Sequence, residues 1–212
     1  LEWADGEKKS KVNGREVKSG DLIVFEEPRK DNNGEVYKNL YVAGIDAIDM
    51  GTGDSATDND VSDFCIVIKR RAFGMESPKY VAMYKARPRE IKTAFETAMR
   101  LLVWYNAKAL LEYTKISIQQ YFINNKKSHL LMERPDFAIT AKTRLSRNKK
   151  KLVGLPATEA VIKHGLELIS MYIEDYWYEI DSEDMLEQML NYSYEAKRKF
   201  DIIAALQINC LP

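Results

Sequence analysis

The chain reads as an α/β domain built on a mixed central sheet, three antiparallel strands first and parallel strands after them, flanked by helices. Two observations predict this. Three β-prone apolar runs, 41–48, 63–68 and 79–85, come in succession, and the turn 73–78 between the last two is too short for a crossover helix, so they pair antiparallel. From Ile91 the apolar period becomes helical, and strand and helix then alternate, so a right-handed crossover lays a fourth strand parallel to the first.

At 212 residues the chain has room for one large domain, or for a domain and an arm. We divide it into an N-terminal arm or linker, 1–39, and a domain, 40–212. Residues 1–39 are charged and turn-rich, broken only by a short strand at 21–26 that Pro28 stops. The start, Leu1-Glu2-Trp3-Ala4, is neither a signal peptide nor a natural initiation site, which points to a piece of something longer. No apolar run approaches the roughly eighteen residues of a membrane span, so no membrane partner is expected.

The first core strand, Tyr41-Val42-Ala43-Gly44-Ile45-Asp46, leaves the core at an acid and dissolves into Gly51, Thr52, Gly53 and further acids. Asp46 therefore sits at a strand mouth. Past Pro88, the positions Ile91, Ala94, Phe95, Ala98, Met99, Leu101 and Leu102 make an amphipathic helix ending near Asn106. A strand at 108–114 carries Ala109-Leu110-Leu111-Glu112; a helix at 116–122 and a short apolar strand at 129–132 follow. Thr158 caps a long helix to Glu174, with Glu159 in its first turn. Residues 176–180 read either as a strand or as an extension of that helix. Ser182-Glu183-Asp184 opens a helix to Leu190, and 196–208 forms a closing helix whose inner face is Phe200, Ile203, Ala204 and Leu206 or its neighbours and whose one internal acid is Asp201.

Charge is balanced in total, 32 cations against 32 acids, yet segregated along the chain. Lys142, Arg144, Arg147, Lys149, Lys150 and Lys151 crowd one acid-free stretch, which is a candidate phosphate-contacting loop. Residues 49–63 and 174–187 are acidic and hold no cation. The two cysteines, Cys65 and Cys210, lack CxxC spacing, and with only His129 and His164 for company they make a zinc site improbable and a reducing compartment natural. Asp54, Asp58 and Asp60 lack the glycine and the twelfth-position glutamate of a calcium loop.

Three acids inside apolar segments, Asp46, Glu112 and Asp201, call for an explanation, because a buried carboxylate is costly unless it is paired or bound to metal. For Asp201 the plain alternative is a pairing with Lys197 or Arg198 on an outer helix face. A sheet whose first and fourth strands deliver acids at one edge, with a third from a late helix, is how a two-metal phosphodiesterase site is built. Mg²⁺ keeps waters and prefers oxygen ligands, so two or three carboxylates suffice for a pair of ions, with Asp46 bridging them.

On these segments, on Asp63 opening the second strand, on Gly154-Leu155-Pro156-Ala157-Thr158 before a long helix, and on Lys199-Phe200-Asp201-Ile202-Ile203-Ala204-Ala205-Leu206, the chain resembles the C-terminal nuclease domain of the large terminase subunit of tailed double-stranded DNA bacteriophages. The resemblance runs from about Glu27 to Gln207. It implies a ribonuclease H-like fold and a metal-dependent endonuclease that cuts concatemeric viral double-stranded DNA during packaging, using two Mg²⁺ or Mn²⁺ ions. The implied ligands are Asp46, Glu112 and Asp201, with Asp63 as a fourth. The implied partners are the ATPase half of the same protein, the portal and the small terminase, and the implied place of action is the host cytoplasm rather than the mature virion. No GxxxxGK[ST] phosphate loop occurs, so motor activity is not expected of this chain. The loop between Asp46 and Asp63 is long and acidic, which leaves open whether Asp49, Asp58 or Asp60 also touches metal. A docking module of the same fold, binding DNA or protein without cutting, is the alternative.

Overall fold

A computed structural model describes residues 8–12, 15–19, 21–48, 62–135, 138, 152–193 and 200–211. β1 (Lys8–Val12) and β2 (Arg15–Ser19) pair as an antiparallel hairpin. β3 (Leu22–Val24), β4 (Tyr41–Asp46), β5 (Phe64–Arg70), β6 (Lys79–Ala86) and β7 (Lys108–Leu111) form a five-stranded sheet in the order β3-β6-β5-β4-β7. β4, β5 and β6 are antiparallel neighbours, and β7 lies parallel to β4, reached through α1 (Ile91–Trp104). This is the mixed sheet the sequence predicts. β3, from within the first 39 residues, extends its edge by pairing antiparallel with β6.

The central strands are near-continuous apolar runs because helices cover both faces. On one face α1 and α2 (Ile116–Asn124) bury Phe95, Ala98, Leu102, Ile118 and Phe122 against Ala43, Ile45, Phe64 and Ile66. On the other lie α3 (Glu159–Tyr176), α4 (Glu183–Asn191) and α5 (Asp201–Cys210), whose Ile169, Met185, Ile202, Ile203 and Leu206 pack with Cys65, Val67 and Met83. Thr158 Oγ1 accepts from Val161 N at 3.4 Å and Ser182 Oγ from Met185 N at 3.2 Å, the caps expected of these residue types.

α5 is held unusually close to the sheet. A Cβ on Gly44 would lie 2.1 Å from the Ala205 carbonyl oxygen, and one on Gly165 of α3 would lie 2.9 Å from Gln207 Cβ. Only glycine admits α5 between β4 and α3. Asn209, 1% exposed, donates from Nδ2 to the carbonyls of Val42 (3.3 Å) and Val67 (3.0 Å), tying the helix to two adjacent strands. Opposite the start of β4, buried Arg70 at the end of β5 lies 3.0 Å from Glu26 and 3.3 Å from Glu76, while Arg29 bonds both acids and fixes the path of the chain into the sheet.

Two local expectations change and one open alternative is resolved. The strand expected at 129–132 is instead a 3-10 turn, Ser128–Leu130, closed by Leu130 N to Lys127 O (3.0 Å) and Leu131 N to Ser128 O (3.0 Å). Only Leu131 then forms a bridge, with Ala109. Residues 176–180 resolve as helix: α3 runs to Tyr176 and tightens into a 3-10 turn at Trp177–Glu179. α5 is described from Asp201, residues 196–199 of the expected helix lying outside the described residues, and its buried face is Asp201, Ile202, Ile203, Ala205, Leu206 and Asn209, while Ala204 is only partly buried.

Candidate active site

Strand parity puts the acids on one face. Asp46 follows Val42 and Gly44 in alternation, and Gly44 is the residue α5 touches, so Asp46 points to the α5 side. Glu112 has the parity of Leu110, and the register Ile45↔Leu111 makes Asp46 and Glu112 next-step neighbours on parallel chains, about 4.8 Å apart at the backbone. Asp63 has the parity of Cys65 and Val67, which also face α5. Asp201 comes to the same place from above, in the first turn of α5, where the helix dipole favours a negative charge.

Asp201 is 6% exposed and accepts from the backbone N–H of Asp63. Burial raises its carboxyl above the ordinary value, while that bond and the charge of Lys85 oppose the rise. Asp46 is perturbed further. Burial first, then the negative charges of Asp201 and Glu112, push it up to about 7, with Lys115 pulling the other way. An aspartate that holds its proton to neutrality because it is buried and two other acids face it marks a site short of positive charge. Glu112 is itself oriented by Thr114, whose hydroxyl donates to Oε1. Asp63 is ion-paired with Lys85 at 3.6 Å.

Among the described residues no group of three or more acidic, histidine or cysteine side chains stands close enough to hold a single ion. The donors are nonetheless all carboxylate oxygens, the chemistry of hard cations such as Mg²⁺, which keep waters and take substrate oxygens beside one or two carboxylates. Beside Asp46 and Glu112 opens a cleft of about 140 Å³, walled by Leu155, Pro156, Val161, Tyr192 and Phe200. The φ of +81° at Gly154, and a Cβ that would meet Leu111 O at 2.6 Å, explain the glycine that delivers Leu155 to this wall.

Sequence reasoning missed the site's cations. Lys85 pairs in register with Cys65 across β5 and β6, two residues along β5 from Asp63, and its signal is a lysine late in a mostly apolar strand. Lys115 lies three residues past Glu112, and its backbone N–H bonds the Glu112 carbonyl at 3.2 Å. Gln188 of α4 also went unnoticed: its Oε1 accepts from Ile202 N at 3.1 Å and serves as the cap that α5 lacks from its own chain start. Lys142, Arg144, Arg147, Lys149, Lys150 and Lys151 lie outside the described residues, as do Asp49, Asp54, Asp58, Asp60, Lys197 and Arg198.

No helix among the described residues is long and apolar enough to cross a membrane. No protein-family model matches the chain, and no curated protein does. Among solved structures, the large terminase nuclease from thermophilic phage G20c, in a crystal structure with bound zinc, is similar with a TM-score of 0.57 at 12% identity. The match covers 91% of this chain and 88% of that one. With its mixed sheet, its parallel β7 and its closing helix across β4, the chain has the ribonuclease H-like fold seen in that terminase nuclease.

Proposed function

We propose that the chain is the nuclease domain of a large terminase, a metal-dependent endonuclease that cuts concatemeric viral double-stranded DNA during genome packaging. The observation that carries this reading is the convergence of Asp46, Glu112 and Asp201 on one face of the sheet, close enough that the latter two raise the proton affinity of the first. In this reading Asp46, Glu112 and Asp201 would hold two Mg²⁺ or Mn²⁺ ions between them, with Asp63 as a fourth, outer donor. Such ions, when bound, polarise a phosphodiester and lower the pKa of an attacking water.

The chain's own residues supply the rest. Asp46 gives up its proton on loading, since a carboxylate ligates in its ionised form. Thr114 orients Glu112, and Gln188 holds the first turn of α5, which carries Asp201. Lys85 and Lys115 limit the negative field around the acids, easing the approach of a phosphate. The apolar wall of Leu155, Val161 and Phe200 keeps bulk water from one side of the cleft. The cations of 142–151 contact backbone phosphates, and the ATPase half, portal and small terminase complete the assembly in the host cytoplasm.

Supercoiled plasmid incubated with Mg²⁺ or Mn²⁺ tests the reading. Nicking and linearisation are expected from the wild type and not from Asp46→Asn. A second reading is a docking module of the same fold that binds without cutting; among the described residues no group of three acidic side chains stands close enough to hold one ion. Intact plasmid with both metals, from protein that still binds duplex, would establish that second reading.

A further inference from the structure

At the opposite end of β4 from Asp46, a cavity of about 280 Å³ opens where β4 and β7 begin. Five residue steps of about 3.3 Å separate the two ends of β4, so this cavity lies roughly 17 Å from the acids. Its lining includes Lys38, Arg71, Lys108 and His129, together with Asn39 and Asn106, and it contains no acid. In a chain with equal numbers of cations and acids, such a lining is a local excess of one sign. Lys38, Arg71, Lys108 and His129 are all exposed, and among the described residues none of them has a carboxylate within ion-pair distance. The lysines at the active site differ in kind, since Lys85 is paired with Asp63.

The walls are set by local chemistry. Asn39 (φ 60°) and Asn106 (φ 49°) occupy left-handed turns, the conformation asparagine tolerates better than other non-glycine residues, and they place the ends of the β4 and β7 approaches side by side. Arg71 donates from Nη1 to the Asn39 carbonyl at 3.4 Å, which holds its guanidinium at the rim. Asn106 donates to the Val36 carbonyl at 3.2 Å. The size is just below the roughly 300 Å³ at which drug-sized ligand pockets begin, which suits a phosphate or diphosphate group better than a whole nucleotide.

We propose that this cavity is a phosphate-binding site, distinct from the acidic site, in which Lys38, Arg71, Lys108 and His129 receive the phosphate of a nucleic-acid backbone or of a free polyphosphate. Arg71 offers a fork of donors and the two lysines offer point charges, the usual division of labour around a phosphate. Neither source requires the acids to be catalytic, so the proposal does not depend on the nuclease reading.

The test uses the 212-residue chain in EDTA, so that no cleavage intervenes, with two probes: inorganic pyrophosphate by calorimetry and a short duplex by anisotropy across a salt series. Lys38→Glu and Lys108→Glu alter exposed side chains at the cavity. Lys92→Glu, on an exposed position in the first turn of α1 and absent from the cavity lining, is the control for lost net charge. If the source is a free polyphosphate, pyrophosphate binds the wild type and the two cavity variants weaken it at least about tenfold, while Lys92→Glu does not. If the source is a nucleic-acid backbone, pyrophosphate is ignored and each cavity variant weakens the duplex while reducing the salt slope by about 0.9. Equal effects of all three variants, unchanged binding in both cavity variants, or no binding of either probe would overturn the proposal.

Discussion

Replacing Asp46 by asparagine should stabilise the metal-free protein, and by an amount that grows with pH. The carboxyl is raised from 3.8 to about 7 by burial and by Asp201 and Glu112. A raised acid binds more protons folded than unfolded across that interval, so stability falls as pH rises from about 4 to about 7 and levels off above. Asparagine copies the protonated form and removes the loss. Relative to the wild type, the variant should gain about 1.5 kcal/mol at pH 5 and about 4 kcal/mol at pH 8, at about 1.4 kcal/mol for each tenfold change. At roughly 2–4 °C per kcal/mol for a chain of this length, the variant's melting temperature in EDTA should lead by a few degrees at pH 5 and by about 10 °C at pH 8. Calorimetric scans of both proteins at both pH values check this. An advantage that does not change with pH, or a variant less stable than the wild type at pH 8, would refute the electrostatic account of the acidic cluster.

Three further outcomes follow from the same geometry. Mn²⁺ should raise the wild-type melting temperature at pH 8, by about 2.7 kcal/mol of stability at a hundredfold excess over Kd, and should barely move that of Asp46→Asn; coincident wild-type scans with EDTA and with saturating Mn²⁺ would count against a metal site. Glu112→Gln and Asp201→Asn should each abolish plasmid nicking, with combined losses far below the product of the single ones, whereas Asp63→Asn is milder and exposed Asp184→Asn cuts normally. Gly44→Ala should cost at least about 3 kcal/mol in urea unfolding, because its methyl would stand 2.1 Å from the Ala205 carbonyl oxygen, where no side chain can rotate aside.

The sheet was legible because its signals are local. Uninterrupted apolar strands, a turn too short for a crossover and a switch to helical period at Ile91 need no knowledge of distant residues, and Asp46 and Glu112 stood out as acids ending such runs. The placement of Asp201 was legible only in part. The apolar run marked a helix, but the cap on its first turn comes from Gln188, fourteen residues upstream of the Ile202 N–H it accepts from and on another helix. Asp201 occupies the first turn, buried and accepting the Asp63 N–H, on the side of the other acids.

The same dependence on distant partners hid the contact on which the acidic cluster rests. Gly44 in a strand and Gly165 in a helix each read as small weaknesses, since glycine costs backbone entropy in either element. Together they are the two surfaces between which α5 slides to within a Cβ radius of β4, and Asn209 fastens it there through carbonyls of two strands. The close approach sets the height of Asp201 above Asp46, and that height sets how strongly the two charges oppose each other. A cluster of like charges is thus held together by close backbone packing at glycines and by the Asp63 N–H that Asp201 accepts, not by any attraction between the carboxylates, which is why relieving the charge at Asp46 should raise stability while filling the space at Gly44 should lower it.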